Sequence, residues 1–251
     1  MLTLMLGACD SAPEPATPAP EPDPTPAPEP DPTPARQLMD EHFTKATEAR
    51  DAVIAGDIER AKSLMGWFAD HDPSQALEPA LAPHLERMRA SARTFTETHS
   101  LTDAGRAMAT MLTHCGACHV AADARPDLDS TSLPEGDGAR PHMRRHAWAA
   151  DRMWEGLVRD DADLFRRGTA ALEGAPLGTE GIAAEEANAE QAGALAEHVH
   201  ALATEAAAAL DPPARAQIYG RYLAACAGCH RLLGRGPGQA PEAGAETADS
   251  P

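Results

Sequence analysis

Apolar residues recur at intervals of three and four over most of the chain, which is the spacing of one face of an α-helix. Alanine is abundant, whereas the usual strand formers are scarce, and aromatic residues make up only 4% of the chain. Pro, Gly or Asp interrupts the apolar segments and divides the sequence into eight predicted helices. They cover residues 36–55, 57–70, 80–98, 102–121, 140–159, 161–173, 184–209 and 212–233. The pattern therefore predicts an all-α fold.

Several of these breaks carry residues that begin or end helices. Asp57, Thr102 and Asp211 stand where an oxygen-bearing side chain accepts a hydrogen bond from the first helical turn. Pro212 opens the last predicted helix, where the fixed φ of proline is favourable. Asp72, which is followed by proline, predicts the end of the second helix.

The helical segments form an internal repeat. Met39-x-x-His42 recurs as Met143-x-x-His146, 104 positions later, and small or apolar residues follow in the same register. We therefore predict a tandem duplication, with two four-helix units, a linker between them and a longer loop in the second unit. The ranges are 36–125 for the first unit, 126–138 for the linker, 139–235 for the second unit and 174–181 for the loop.

The net charge of the chain limits the kinds of macromolecule that it is expected to bind. The chain has 39 acidic and 21 basic residues, and its formal net charge is −18. An acidic excess remains when the terminal segments are set aside, which disfavours binding to nucleic acid or to an anionic membrane surface. The excess suits a protein partner with a basic docking face, or serves only to keep the protein soluble.

Cys-x-x-Cys-His occurs twice, each time in the last predicted helix of a unit. This pentapeptide is the attachment sequence of c-type haem, in which two thiols form thioethers and the imidazole binds the iron. A thioredoxin-like redox pair would need a strand-rich fold, and a shared zinc site would leave both histidines without a role. We therefore predict two covalently bound haems. Their residues are Cys115, Cys118 and His119 in the first unit and Cys226, Cys229 and His230 in the second.

Four helices with Cys-x-x-Cys-His on the last resemble the class II c-type cytochromes, the cytochrome c prime group and its low-spin relatives. The resemblance covers residues 36–125 and 139–235. It implies a haem held by each four-helix unit, with His119 and His230 as the proximal iron ligands. Side chains seven and four positions before each first cysteine share a helix face with it, and we predict that they pack against the haem. These are Met108, Met111, Tyr219 and Tyr222.

In that family the sixth iron ligand comes from the first helix, as a methionine in low-spin members, whereas high-spin members leave the position open. Here a methionine and a histidine share the apolar face of that helix in both units. We predict His42 and His146 as the distal ligands, with Met39 and Met143, or an open position, as alternatives. The other histidines are predicted to lie elsewhere, with His84 and His198 as weaker candidates and His71, His99, His114, His142 and His200 as solvated side chains.

The N-terminal segment indicates export and a lipid anchor. Residues 1–9 are apolar and end in Leu-Gly-Ala-Cys9, which resembles the lipobox of bacterial lipoproteins, although no basic residue precedes Arg36. The alternative is an apolar start with a free Cys9 thiol. Residues 10–35 alternate proline with small and acidic residues, which predicts an extended disordered spacer, and residues 236–251 are predicted to be a disordered tail. We expect a periplasmic or cell-envelope protein anchored by lipid to a bacterial membrane.

These features predict a membrane-tethered dihaem electron carrier rather than an enzyme. A six-coordinate iron passes an electron with little rearrangement and cannot bind a substrate. Redox proteins are the expected partners, nucleic acid is not expected, and a homodimer is an open option. Two alternatives remain. A nitric oxide or carbon monoxide sensor or scavenger needs a vacant distal position, and a dihaem peroxidase-like enzyme needs two dissimilar haem sites.

Overall fold

The computed structural model describes residues 33–234 except residues 75, 127, 129, 130 and 183–185. Cys9, the proline-rich segment up to residue 32 and the tail from residue 235 lie outside the described residues, so the predictions made for them stay predictions. The described residues contain helices and irregular segments and no strand, which confirms the all-α fold.

Among the described residues, the first half of the chain forms four α-helices in sequence and the second half forms five, one of which is a single short turn. Within the described ranges, no helix combines the length and the apolar character needed to cross a membrane. The helices are α1 Pro34–Ala55, α2 Ile58–Asp70, α3 Ala82–Thr96, α4 Leu101–Ala121, α5 Ala139–Val158, α6 Ala162–Ala170, α7 Thr179–Ile182, α8 Glu186–Ala206 and α9 Pro212–Leu233.

Predicted and observed bounds differ by at most two residues for α1 to α5 and for α9, whereas α6 and α8 each end three residues earlier than predicted. The helix predicted over 80–98 begins as a 3-10 turn at Pro79–Leu81 and continues as α3. The helix predicted over 161–173 ends at Ala170, because Gly174 and Pro176 follow within a few residues and do not continue a helix. Part of the predicted longer loop folds as α7.

Side-chain caps fix several helix starts. The carboxylates of Asp57 and Asp211 accept hydrogen bonds from the backbone of α2 and α9, which confirms both predicted caps. The prediction for Thr102 is wrong. Ser100 caps α4 instead, accepting from the amide of Asp103 and donating to its carboxylate, so that Thr102 lies within the first turn. The Ser100–Asp103 pair is a reciprocal cap, which outcompetes a lone threonine two residues later.

Two glycines lie where α4 and α9 cross. A Cβ built on Gly105 would come closer than van der Waals contact to the carbonyl oxygen of Gly220, and a Cβ on Gly220 would lie 3.0 Å from the Arg106 Cα. The missing side chains therefore allow the two helix backbones to touch directly. Because α4 ends the first half and α9 ends the second, this crossing joins the halves.

The described residues of both halves belong to one compact unit. α1 packs against α9 and α4 packs against α5, in addition to the crossing of α4 and α9. Buried residues of both halves, among them Met108, Leu157 and Tyr219, belong to a single hydrophobic cluster. The segment between α4 and α5 therefore does not separate two independent bodies.

The backbone repeats with the spacing of the sequence repeat. Gly56 has φ 77° after α1, and Asp160, 104 positions later, has φ 49° after α5. Asp123 has φ 49° after α4, and Gly234, 111 positions later, has φ 61° at the end of α9. Left-handed residues are uncommon outside glycine, so their recurrence marks equivalent turns in the two halves.

Candidate functional site

Cys115, Cys118 and His119 occupy the last turns of α4. Neither cysteine forms a disulfide bond. Burial raises the pKa of the Cys115 thiol to about 12 and also raises the pKa of Cys118. A redox-active thiol of the thioredoxin kind needs a lowered pKa, so this environment disfavours that chemistry.

The second motif repeats this arrangement on α9. Burial raises the pKa of Cys226 to about 12 and also raises the pKa of Cys229. Cys115 and Cys226 both pack against the hydrophobic cluster. Among the residues that the structure describes, the thiols of the two motifs do not form a metal-sized group, which disfavours a shared zinc site.

Each motif histidine contacts the other half of the chain. His119 Nδ1 lies 2.9 Å from the carbonyl oxygen of Val158 at the end of α5, and His230 Nδ1 lies 2.8 Å from that of Ile54 near the end of α1. A carbonyl oxygen can only accept, so Nδ1 carries the proton and Nε2 keeps its lone pair. This is the tautomer, oriented by an outer hydrogen bond, that metal-binding histidines have.

His42 is buried on α1 in an aromatic environment. Its ring lies 5.4 Å from Trp67, 5.3 Å from Phe68 and 5.7 Å from His71, centroid to centroid. Its Nε2 is inaccessible to solvent and has no hydrogen-bond partner. Burial, followed by repulsion from His71 and from His119, lowers the pKa of His42 to about 4. His42 is therefore a neutral imidazole with an unpaired nitrogen, within electrostatic reach of the first motif.

His146 holds the equivalent position on α5, with different neighbours. Its ring lies 4.4 Å from His142 and 5.3 Å from His200. Its Nε2 is also buried without a partner. Burial is the largest cause that lowers the pKa of His146 to about 3, followed by His142, His200, Arg145 and His230. The second half thus repeats a neutral, unpaired imidazole within reach of its own motif histidine.

Three histidines predicted to be solvated are not. His142 is 7% exposed, and the Nε2 atoms of His71 and His200 are buried. His142 precedes His146 by one helical turn and shares its inward face, a signal present in the sequence. His200 is turned inward because its Nδ1 donates to the carbonyl of Leu172, 2.8 Å away, which no sequence pattern indicates.

The alternative ligands lie in less favourable places. Met39 is half-buried, and Met143 is 44% exposed. His84 is half-buried on α3 and accepts a hydrogen bond from Arg87 Nη2, with a separation of 3.0 Å. His198 is half-buried on α8 and is absent from the histidine cluster of the second half. Of the candidates from the sequence, the structure buries an unpartnered nitrogen at His42 and His146.

The side chains predicted to pack around each motif lie in the core. Met108, Met111, Tyr219 and Tyr222 are almost fully buried. Tyr222 donates from its hydroxyl to the carbonyl of His146, 2.7 Å away, and so ties α9 to the helix that carries the candidate distal ligand.

An arginine between the halves, whose side chain is 11% exposed, was not indicated by the sequence. Arg50 on α1 is bound to Asp51 at 2.9 Å and to Asp151 on α5 at 2.7 Å. Its guanidinium also lies 5.2 Å from the ring centroid of Trp154, a cation–π contact. Arg50 therefore fixes α1 against α5, the two helices that carry His42 and His146.

The chain matches no protein-family model, no curated protein and no solved structure. The arguments for function therefore rest on the motifs and on the geometry around them.

Proposed function

We propose that the protein is a dihaem c-type cytochrome that transfers electrons outside the cytoplasm while tethered to a membrane through lipid on Cys9. The observation that carries the proposal is the pair of buried nitrogens without partners, His42 Nε2 and His146 Nε2. A buried nitrogen left without a hydrogen bond costs free energy, and coordination to iron would satisfy it. The same atom is unpaired at matching positions of both halves, each near a Cys-x-x-Cys-His motif.

In this proposal the chain is a tandem pair of class II-like four-helix units. The first unit is α1 to α4, and the second is α5, α6, α8 and α9, with α7 as an insertion. The recurrence of the left-handed turns with the sequence repeat supports the pairing of elements. The close packing between the units distinguishes this arrangement from two independent domains joined by a flexible linker.

Each half contains a complete set of groups for one haem, whose iron alternates between ferrous and ferric states. The proximal imidazoles would bind through Nε2, since Nδ1 donates to a backbone carbonyl in both halves. The proximal histidines are His119 and His230, the distal ones are His42 and His146, and the thioether cysteines are Cys115, Cys118, Cys226 and Cys229.

Two imidazole ligands favour electron transfer over substrate binding. The protein would hold both ligands in place, because the ring of His42 packs edge-on against Trp67 and Phe68 and the ring of His146 packs against His142 and His200. Histidine in place of methionine as the second ligand lowers the reduction potential. The acidic surface would favour a redox partner with a basic docking face.

The experiment that tests the proposal measures haem content and spin state in protein matured in a bacterial envelope. We expect an intact mass that includes two haems and electron paramagnetic resonance spectra of two low-spin irons that carbon monoxide does not change. Cys115→Ser with Cys118→Ser should remove one haem, and Cys226→Ser with Cys229→Ser should remove the other. Cys9→Ser should release the protein from membranes without changing haem content. A matured wild-type chain without haem would sink the proposal.

The distal assignment has its own test. His42→Ala should convert one haem to a high-spin form that binds carbon monoxide, and His146→Ala should do the same to the other. His84→Ala is the matched control and should leave both spectra unchanged. A wild-type protein that already contains a high-spin haem that binds carbon monoxide would favour the gas sensor, or the peroxidase-like enzyme if only one haem behaves in this way.

A further inference from the structure

The second half carries a cluster of three histidines. His142 and His146 lie on successive turns of α5, and His200 reaches them from α8. The ring of His200 lies 5.3 Å from each of the other two, centroid to centroid. Each histidine offers one ring nitrogen, and these three nitrogens lie within 4.8 Å of one another.

We propose that His142, His146 and His200 form a binding site for a divalent transition metal ion of the zinc type, distinct from the two haem irons. Three imidazoles with an open fourth position are a common protein ligand set for Zn²⁺. A donor set made only of nitrogen also suits Co²⁺, Ni²⁺ and Cu²⁺, and it disfavours Mg²⁺ and Ca²⁺, which require oxygen.

The site is largely preformed. His200 Nδ1 donates to the Leu172 carbonyl, which fixes the ring and leaves the Nε2 lone pair for a metal. The Nε2 atoms of His200 and His146 are both buried and have no hydrogen-bond partner. A buried nitrogen without a hydrogen-bond partner costs free energy, and coordination to a shared cation would remove that cost.

The first half lacks this site. The position equivalent to His142, 104 residues earlier, is Leu38, which is buried in the core. Among the described ring contacts of His42, His71 is the one histidine, and the others are Trp67 and Phe68. Within the described ranges, the structure contains no other group of three potential metal ligands.

The metal site and the second haem would share His146. One nitrogen cannot serve two metals, so ion binding should withdraw the distal ligand of the second haem and leave the first haem unchanged. This consequence rests on the proposed function, whereas the binding of the ion does not.

Calorimetric titration of the purified full-length protein with Zn²⁺, after treatment with a chelator, tests the site. We expect one ion per chain, with affinity reduced about tenfold or more by His142→Ala and by His200→Ala. His84→Ala, a histidine outside the cluster, should bind as the wild type does. His200→Gln serves if the alanine variant unfolds, and the absorption of bound Co²⁺ reports nitrogen ligation directly. Absence of binding, or equal affinity in both cluster variants and the wild type, would overturn the site.

Electron paramagnetic resonance of the same samples separates the two proposals. In haem-loaded protein, Zn²⁺ should make one of two haems high-spin, a chelator should reverse the change, and His200→Ala should abolish it. If the matured chain contains no haem, the proposed function fails and the calorimetric result still decides the metal site. If two low-spin haems are present and Zn²⁺ does not bind, the metal site alone fails.

Discussion

The two halves repeat left-handed residues at matching positions and carry candidate distal histidines 104 positions apart, and they differ in what surrounds those histidines. His42 lies among Trp67, Phe68 and His71, whereas His146 lies with His142 and His200. The shared elements are those that the proposed haem requires. The differing elements are the aromatic rings around His42 and the histidine cluster around His146, and the proposed metal site depends on the second of these.

The halves also depend on each other. His119 is oriented by Val158, and His230 is oriented by Ile54, which is the equivalent residue 104 positions earlier. Each motif histidine is thus held by the first helix of the other half. The supporting contacts of the two motif histidines are therefore exchanged between the halves.

The largest expected effect comes from Gly105→Val, which breaks the crossing that joins the halves. The added side chain meets the Gly220 carbonyl, and overpacking against a backbone should lower the free energy of unfolding by about 3 kcal/mol. Denaturant unfolding of the haem-free chain should show one transition that moves as a whole. Gly228→Ala is the control, because its Cβ would make ordinary contact with Leu195 at 3.6 Å. A variant that unfolds in two steps, with the second half unaffected, would contradict the interdependence.

Acid should destabilise the haem-free chain, because the folded state holds His42 as a buried neutral imidazole. The pKa of His42 falls from 6.5 to about 4 on folding, so the unfolded chain takes up a proton that folded His42 resists. The contribution of His42 to the free energy of unfolding should be constant above pH 6.5. It should fall by about 3 kcal/mol as the pH drops from 6.5 to 4. Urea unfolding of the haem-free chain across this range measures it. His42→Leu should remove its share of the loss, and an unchanged pH slope in that variant would refute the assignment.

Much of the scaffold could be predicted from the sequence because its signals are local. Apolar spacing, Asp57 and Asp211 as caps, and the repeated histidine all lie within short windows. The features that were missed depend on tertiary packing. Arg50 pairs with Asp151 across the halves, and His200 is turned inward by a carbonyl far along the chain.

The candidate site was predicted unevenly for the same reason. The Cys-x-x-Cys-His motifs can be recognised from residue types alone. The hydrogen bonds from the motif histidines go to the backbone carbonyls of Val158 and Ile54, and a backbone carbonyl is the same in every residue, so the sequence does not indicate these contacts. The spacing of His142 and His146 was available in the sequence, but only the approach of α8 shows that a third histidine completes a cluster.

A smaller effect on stability should distinguish the hydrogen bond from His119 to Val158 from the hydrogen bond from His230 to Ile54. A Cβ on Gly116 would meet the Leu157 carbonyl, next to the Val158 carbonyl that accepts from His119. Gly116→Ala should therefore cost about 2 kcal/mol and weaken the hydrogen bond to His119. A weaker hydrogen bond makes His119 a poorer donor to iron, so one of two reduction potentials should rise in a redox titration. Gly228→Ala should change neither potential, and a shift of both potentials in Gly116→Ala would argue against a contact specific to one haem.

The smallest effect tests whether the scaffolds of the halves are equivalent. Asp57 and Asp161 occupy matching positions, and their carboxylates accept from backbone amides at 3.0 Å and 2.9 Å. Asp57→Ala and Asp161→Ala should each lower the free energy of unfolding by about 1 kcal/mol, since each removes one helix cap. Asn at either position retains an oxygen that accepts the hydrogen bond, so it should recover most of the free energy of unfolding that the alanine variant loses. Because we expect the halves to unfold in one transition, each alanine variant should shift that transition by a similar amount. A clear inequality would show that the halves differ in their scaffold as well as around their distal histidines.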